Sequence, residues 1–120
     1  MCPLTHNQVF GKSGEDIAAL FFEERGFQII ERNWRCRFGE IDLVIRKGGE
    51  WRFVEVKTRT SADFGYPEES VTCQKREHLF RATEVYCQML NPRPQNVRVD
   101  VLAIILNQQI FDIKWIEDIC

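Results

Sequence analysis

No stretch of the 120 residues approaches the roughly 20 consecutive apolar positions a membrane-spanning helix needs, so no membrane partner is expected. Histidine is scarce, with two copies, and the five cysteines (Cys2, Cys36, Cys73, Cys87 and Cys120) are odd in number and widely spaced. No Cys-x-x-Cys and no Cys/His cluster occurs, which excludes a zinc site of known spacing and a disulfide framework. Reduced thiols in a cytoplasmic protein are the expectation. Met1 to His6 lack a basic region followed by an apolar run, so no secretory leader is expected. There is no internal repeat and no low-complexity segment. The net charge of −2 also lacks the overall basic excess of a general nucleic-acid binder.

What is present is an ordinary globular balance, 44% hydrophobic and 28% charged. The length fits one domain over residues 1–120, with residues 1–10 read as a loose arm. Charge is unevenly distributed. Residues 25–59 hold nine Lys/Arg against five Asp/Glu, and the remainder is acidic. Any polyanion-facing surface should therefore lie in that stretch.

The hydrophobic pattern predicts the order α-β-β-β-α-β-β. Ser13-Gly-Glu-Asp16 resembles a helix-capping box, Ile17, Leu20 and Phe21 follow with helical spacing, and Gly26 stops the helix. Residues 27–33, 41–46 and 51–58 read as strands, and residues 60–70 as a loop. A long helix is predicted over about 72–90, with Leu79, Ala82, Tyr86 and Met89 on one face and Asn91-Pro92 ending it. Residues 97–106 form the most apolar run and should be a central strand, and 110–116 an edge strand. Strands divided around helices imply an α/β fold with a central mixed sheet flanked by helices.

The hairpin Gly39-Glu-Ile-Asp-Leu-Val-Ile-Arg-Lys-Gly-Gly-Glu-Trp-Arg-Phe-Val-Glu-Val-Lys-Thr-Arg59 carries the chemistry. A two-residue turn at Gly48-Gly49 sets Asp42 opposite Glu55 and Glu40 opposite Lys57. With a strand period of two, Ile41, Leu43, Ile45, Val54 and Val56 form a core face. The other face shows Glu40, Asp42, Val44, Phe53, Glu55 and Lys57. Like charges directly opposite destabilise a sheet, and a cation between them removes the penalty. Two hard carboxylates suit Mg²⁺ or Mn²⁺ better than zinc. Such an ion polarises a phosphoryl oxygen and activates water, and Lys57 can stabilise charge on a phosphate. The bland alternative is a hairpin with solvated charges.

Gly39-Glu-Ile-Asp-Leu43 followed by Phe53-Val-Glu-Val-Lys-Thr-Arg59 resembles the YraN family of uncharacterised proteins, UPF0102. Gly14-Glu15, Arg32-Asn-Trp34, Phe64-Gly65, Val71 with Lys75, and Asp100 also match. The resemblance spans about residues 10–118. It implies a restriction-endonuclease-like fold similar to archaeal Holliday-junction resolvases. In that superfamily the active-site pattern is Asp, then Glu-x-Lys, often with a Glu from the first helix. It maps here onto catalytic Asp42, Glu55 and Lys57, with Asp42, Glu55 and Glu15 as metal ligands. A homodimer follows by analogy with the resolvases.

Other candidates have two readings each. Glu15 is a metal ligand or an acid favoured by the helix dipole. Glu40 is a supporting partner of Lys57 or a simple cross-strand ion pair. Arg35, Arg37, Arg59 and Lys75 are candidate nucleic-acid contacts or a solvated face. Arg32, Arg35 and Arg37 interleave with Trp34 and Phe38, so they can hold a phosphate backbone while an aromatic stacks a base. Otherwise Trp34 is core. Asp100 lies between Val99 and Val101 and should have a buried hydrogen-bond partner. His6 and His78 read as surface residues.

The sequence thus points to a metal-dependent nuclease acting on DNA, with branched or damaged DNA as the substrate class. The alternative is a non-catalytic nucleic-acid-binding or protein-interaction module that keeps the nuclease fold.

Overall fold

The computed structural model describes residues 14–59, 73–106 and 111–119. The arm expected over residues 1–10, the Ser13 cap and the loop expected over 60–70 lie outside them. Helix α1 spans Gly14–Glu23, β1 Gln28–Cys36, β2 Gly39–Lys47, β3 Glu50–Arg59, α2 Cys73–Gln88, β4 Asn96–Leu106 and β5 Phe111–Ile116. The element order is the predicted one. No described helix is long and apolar enough to cross a membrane.

The strands form one five-stranded sheet in the order β1-β2-β3-β4-β5. Neighbours are antiparallel except β3 and β4, which are parallel. β4 is an interior strand, flanked by β3 and β5, and β5 lies on an edge, as expected. A parallel pair needs a long crossover, and α2 lies within it. The helices cover opposite faces of the sheet. Ile17, Ala18 and Phe22 of α1 pack with Leu43, Ile45, Val54, Leu102 and Ile104. Leu79, Ala82, Tyr86 and Cys87 of α2 pack with Ile41, Val44, Phe53 and Val99.

Local signals explain the boundaries. Acidic Glu15 and Asp16 favour the positive end of α1. That helix stops because Gly26 takes φ +90°, which lets the Phe27 amide reach back to the Phe22 carbonyl at 3.0 Å. Gly14 permits a close approach: a methyl group there would overlap the Thr58 hydroxyl of β3. The start of α1 is thereby set against the end of β3.

Two boundaries differ from expectation. β1 runs three residues past the predicted Asn33, because Trp34, Arg35 and Cys36 pair with Ile41, Glu40 and Gly39. An irregularity between Ile29 and Glu31, and φ +53° at Asn33, carry this polar stretch along the edge. α2 ends at Gln88, so Met89 lies beyond the helix and is 60% exposed rather than on the core face.

Asp100 is fully buried and accepts three hydrogen bonds, from Arg52 Nη1 at 2.9 Å, Trp115 Nε1 at 2.8 Å and the Asp118 amide at 2.8 Å. Arg52 also donates to Glu50 and pairs with Glu117. Burial alone would lower the Arg52 pKa, but its bonds to Glu50 and Asp100 raise it. The network ties β3, β4 and β5 to the segment after β5, and satisfies a charge that would otherwise be costly.

Candidate active site

The hairpin turn sets the site. Lys47 pairs with Glu50 around Gly48-Gly49, and Gly48 takes φ +60°, as a two-residue hairpin requires. The ladder then follows the predicted register through Leu43 and Val54, its last pair. Asp42 and Glu55 come next but are not a ladder pair. Instead Asp42 Oδ2 accepts the Val56 amide at 2.7 Å, so a side chain takes the place of a backbone acceptor. The face assignment also changes here. Leu43, Ile45, Val54 and Val56 lie on the α1 side as expected, but Ile41 packs in the α2 cluster.

Beyond the last pair is a cleft of about 210 Å³. Asp42, Glu55 and Glu40 line it from the sheet, and Lys75 and His78 from α2, with Gly39 and Leu79 completing the wall. The Asp42 carboxyl is half-buried, and its pKa is pushed up to about 7, chiefly by burial and then by Glu55. Glu40 and Glu15 raise it further, while the Val56 amide opposes the rise. Removing a carboxylate from water and placing another beside it both disfavour ionisation.

Lys57 Nζ lies 3.1 Å from Glu55 Oε1, the two side chains 15% and 22% exposed. The expected Glu40–Lys57 pairing is not made. Glu40 lies 3.7 Å from Arg35, its ladder partner in β1. With the β2–β3 ladder ended at Leu43, Lys57 turns to the acid two residues away on its own strand. Lys75 lies close enough to Lys57 for that cation to lower its pKa, with Arg59 adding to the effect and Glu55 opposing it. Of the sequence-predicted cations, Lys75 thus stands beside Lys57, with Arg59 near enough to Lys75 to be felt by it. Arg59 also donates to the Thr58 carbonyl at 3.0 Å.

Glu15 sits in the first turn of α1, near enough to disfavour ionisation of Asp42, but it does not line the cleft. Among the described residues, no three His, Cys, Asp or Glu side chains come together closely enough to hold one ion. Asp42 and Glu55 are the two candidate ligands that share the cleft.

The arginine cluster is only partly as expected. Arg35 is 79% exposed, and Arg37 is exposed and stacks over Phe38 at 4.7 Å. Arg32 is bound to Asp16 at 2.6 Å. Trp34 is half-buried and meets Tyr86 edge-on at 5.1 Å, so it belongs to the core and is not a base-stacking platform. His78 is exposed, as its sequence reading as a surface residue expected, and α2 places it at the wall of the cleft. No local signal marked that place, because it depends on how Leu79 seats α2 against the sheet.

Residues 14–104 match the uncharacterised protein family UPF0102. A UPF0102 protein of Dictyoglomus turgidum is 41% identical over 110 residues, covering 92% of this chain and 93% of that protein. One from Clavibacter michiganensis is 43% identical, covering 85% of this chain and 86% of the relative. One from Chloroherpeton thalassium is 40% identical and covers 93% of each. With the match running from the start of α1 to within β4, and relatives of this similarity along nearly their full lengths, the chain belongs to the UPF0102 family.

Proposed function

We propose that this protein is a divalent-metal-dependent phosphodiesterase with a restriction-endonuclease-like fold, hydrolysing phosphodiester bonds of DNA that is branched or damaged. The observation that carries this reading is the half-buried Asp42 carboxyl sharing one cleft with Glu55 where the β2–β3 ladder ends. That arrangement costs the apo protein stability, and a bound cation relieves it.

Asp42 and Glu55 would hold Mg²⁺ or Mn²⁺, ions that prefer hard oxygen donors. Glu15 adds negative charge from α1. When bound, the ion supplies polarisation of a phosphoryl oxygen and a lowered pKa for water. Lys57, oriented by Glu55, stabilises charge developing on the phosphate. Lys75 and Arg59 receive phosphates flanking the cleft. Arg35 and Arg37 extend the basic surface along the β1–β2 edge, where backbone contacts fix position without reading sequence. A domain of this size favours recognition of DNA shape over a long sequence.

The test is a cleavage screen of branched, flapped, nicked and single-stranded oligonucleotides in Mn²⁺, with Asp42→Asn as control. The reading requires cleavage that the control loses, and it fails if no substrate is cut. A second reading, a nucleic-acid-binding or protein-interaction module without turnover, draws on a specific observation: the described residues gather no three ligands for one ion. Thermal shift with Mg²⁺ or Mn²⁺ separates the two, since only an ion that binds the native state raises its melting temperature.

A further inference from the structure

The cleft has a wall whose chemistry the proposed reaction has not used. Leu79 is 4% exposed and packs with Ile41, Val44 and Phe53. That anchor fixes the rotation of α2. Lys75 and His78, three residues apart, are neighbours on the helix surface, and both line the cleft with Asp42 and Glu55. Gly39 of β2, at φ +147°, lies near His78: a Cβ built on it would sit in ordinary contact, 3.6 Å from the His78 Cβ. The start of β2 thus passes beside His78 while its ring remains exposed.

Hydrolysis of a phosphodiester expels a sugar oxygen, which as a bare alkoxide is a poor leaving group. On the phosphodiesterase reading Asp42 and Glu55 would hold the cation and Lys75 would face the phosphate, while Lys57 is paired with Glu55 and Glu40 with Arg35. The His78 imidazole is the cleft side chain not yet given a part, and an imidazole is a group that can pass a proton to a reacting oxygen.

We propose that His78 donates the proton to the leaving oxygen, an inference that rests on the phosphodiesterase reading above. A water oxygen bonds to phosphorus and gives its proton to solvent. The bond from phosphorus to the bridging sugar oxygen breaks. That oxygen keeps the bonding pair and takes the proton of the His78 imidazolium. Solvent then reprotonates the neutral ring, which its exposure allows.

The test uses the full chain, wild type and His78→Gln, on two forms of one oligonucleotide in Mn²⁺. One carries the ordinary bridging oxygen at the cleaved position. The other carries sulfur there, which leaves as a thiolate without needing a proton. The expected result is a loss of about a hundredfold on the oxygen substrate, at the low end for general-acid catalysis. The sulfur substrate should be cut at a rate within about threefold of wild type, since no proton is then required. A second variant, His78→Ala, should recover cleavage of the oxygen substrate when imidazole is added. Equal losses on both substrates would assign His78 to binding or positioning and overturn the proposal. Undiminished cleavage by both variants would overturn it alone and leave the phosphodiesterase reading standing. Absence of wild-type cleavage on every substrate would overturn that reading, and this one with it.

Discussion

Replacing Asp42 by Asn should make the metal-free protein more stable, in a way that depends on pH. The carboxyl rises from an ordinary 3.8 to about 7 in the fold, because burial and then Glu55 disfavour its charge. A raised acid binds protons more tightly in the native state than in the unfolded chain. Below about pH 4 both states are protonated and there is no penalty. Stability is lost as pH rises through the window from 3.8 to about 7, and the loss is complete above it. The full linkage is worth roughly 4 kcal/mol, at about 1.4 kcal/mol per pKa unit. Water at the cleft mouth and the cost of burying an amide reduce this, leaving about 2 kcal/mol at pH 8. Asn keeps a side-chain oxygen for the Val56 amide, so that bond is retained. For a chain of this size the gain is a rise of roughly 6–10 °C in melting temperature. Scanning calorimetry of both proteins from pH 4 to pH 8, in chelator, measures it. The advantage of Asp42→Asn should shrink steadily towards pH 4. Saturating Mn²⁺ should then reverse the order, because wild type gains about 2.7 kcal/mol at a hundred times its Kd. A variant less stable than wild type at pH 8 without metal, or a difference unchanged across the pH range, would refute the reasoning.

Lys57→Ala should leave Mn²⁺ binding intact or tighter, since a cation 3.1 Å from Glu55 is gone, while cleavage per folded molecule falls by about a hundredfold or more. Calorimetric titration and initial rates on the same sample check both, and full retained cleavage would contradict the role. Charge reversal of Arg35 and Arg37 together should weaken binding to all DNA sequences alike and flatten its salt dependence. Fluorescence anisotropy over a salt series measures this, and unchanged binding would make these arginines a solvated face. Asp100→Ala should cost about 3–5 kcal/mol in urea unfolding, because it leaves Arg52 buried without its fully buried partner. A loss under 1 kcal/mol would mean that Glu50 and Glu117 suffice for Arg52.

The amino-acid sequence by itself determined the order of elements and the register of the central hairpin. Both rest on short-range physics: strand and helix periods, and a Gly48-Gly49 turn that leaves little freedom in which residues face each other. The same register brought Asp42 and Glu55 to one end of the hairpin before any tertiary contact was considered. It also required a partner for Asp100, since a carboxylate in an apolar run cannot be buried alone.

Only the tertiary structure decided how that end of the hairpin is finished. The ladder stops one pair short of the two acids, Asp42 takes the Val56 amide, Ile41 joins the α2 side, and Lys57 pairs with Glu55 while Glu40 pairs with Arg35. Strand periodicity assumes a continuous ladder, so it loses its authority where the ladder ends. Arg52 as the partner of Asp100, and Lys75 and His78 as walls of the cleft, lay equally beyond it. These residues are distant in sequence, and their meeting depends on which strand pairs in parallel with β3 and on how Leu79 seats α2 against the sheet. Local pattern carries no information on either, because both are settled by the packing of the whole core.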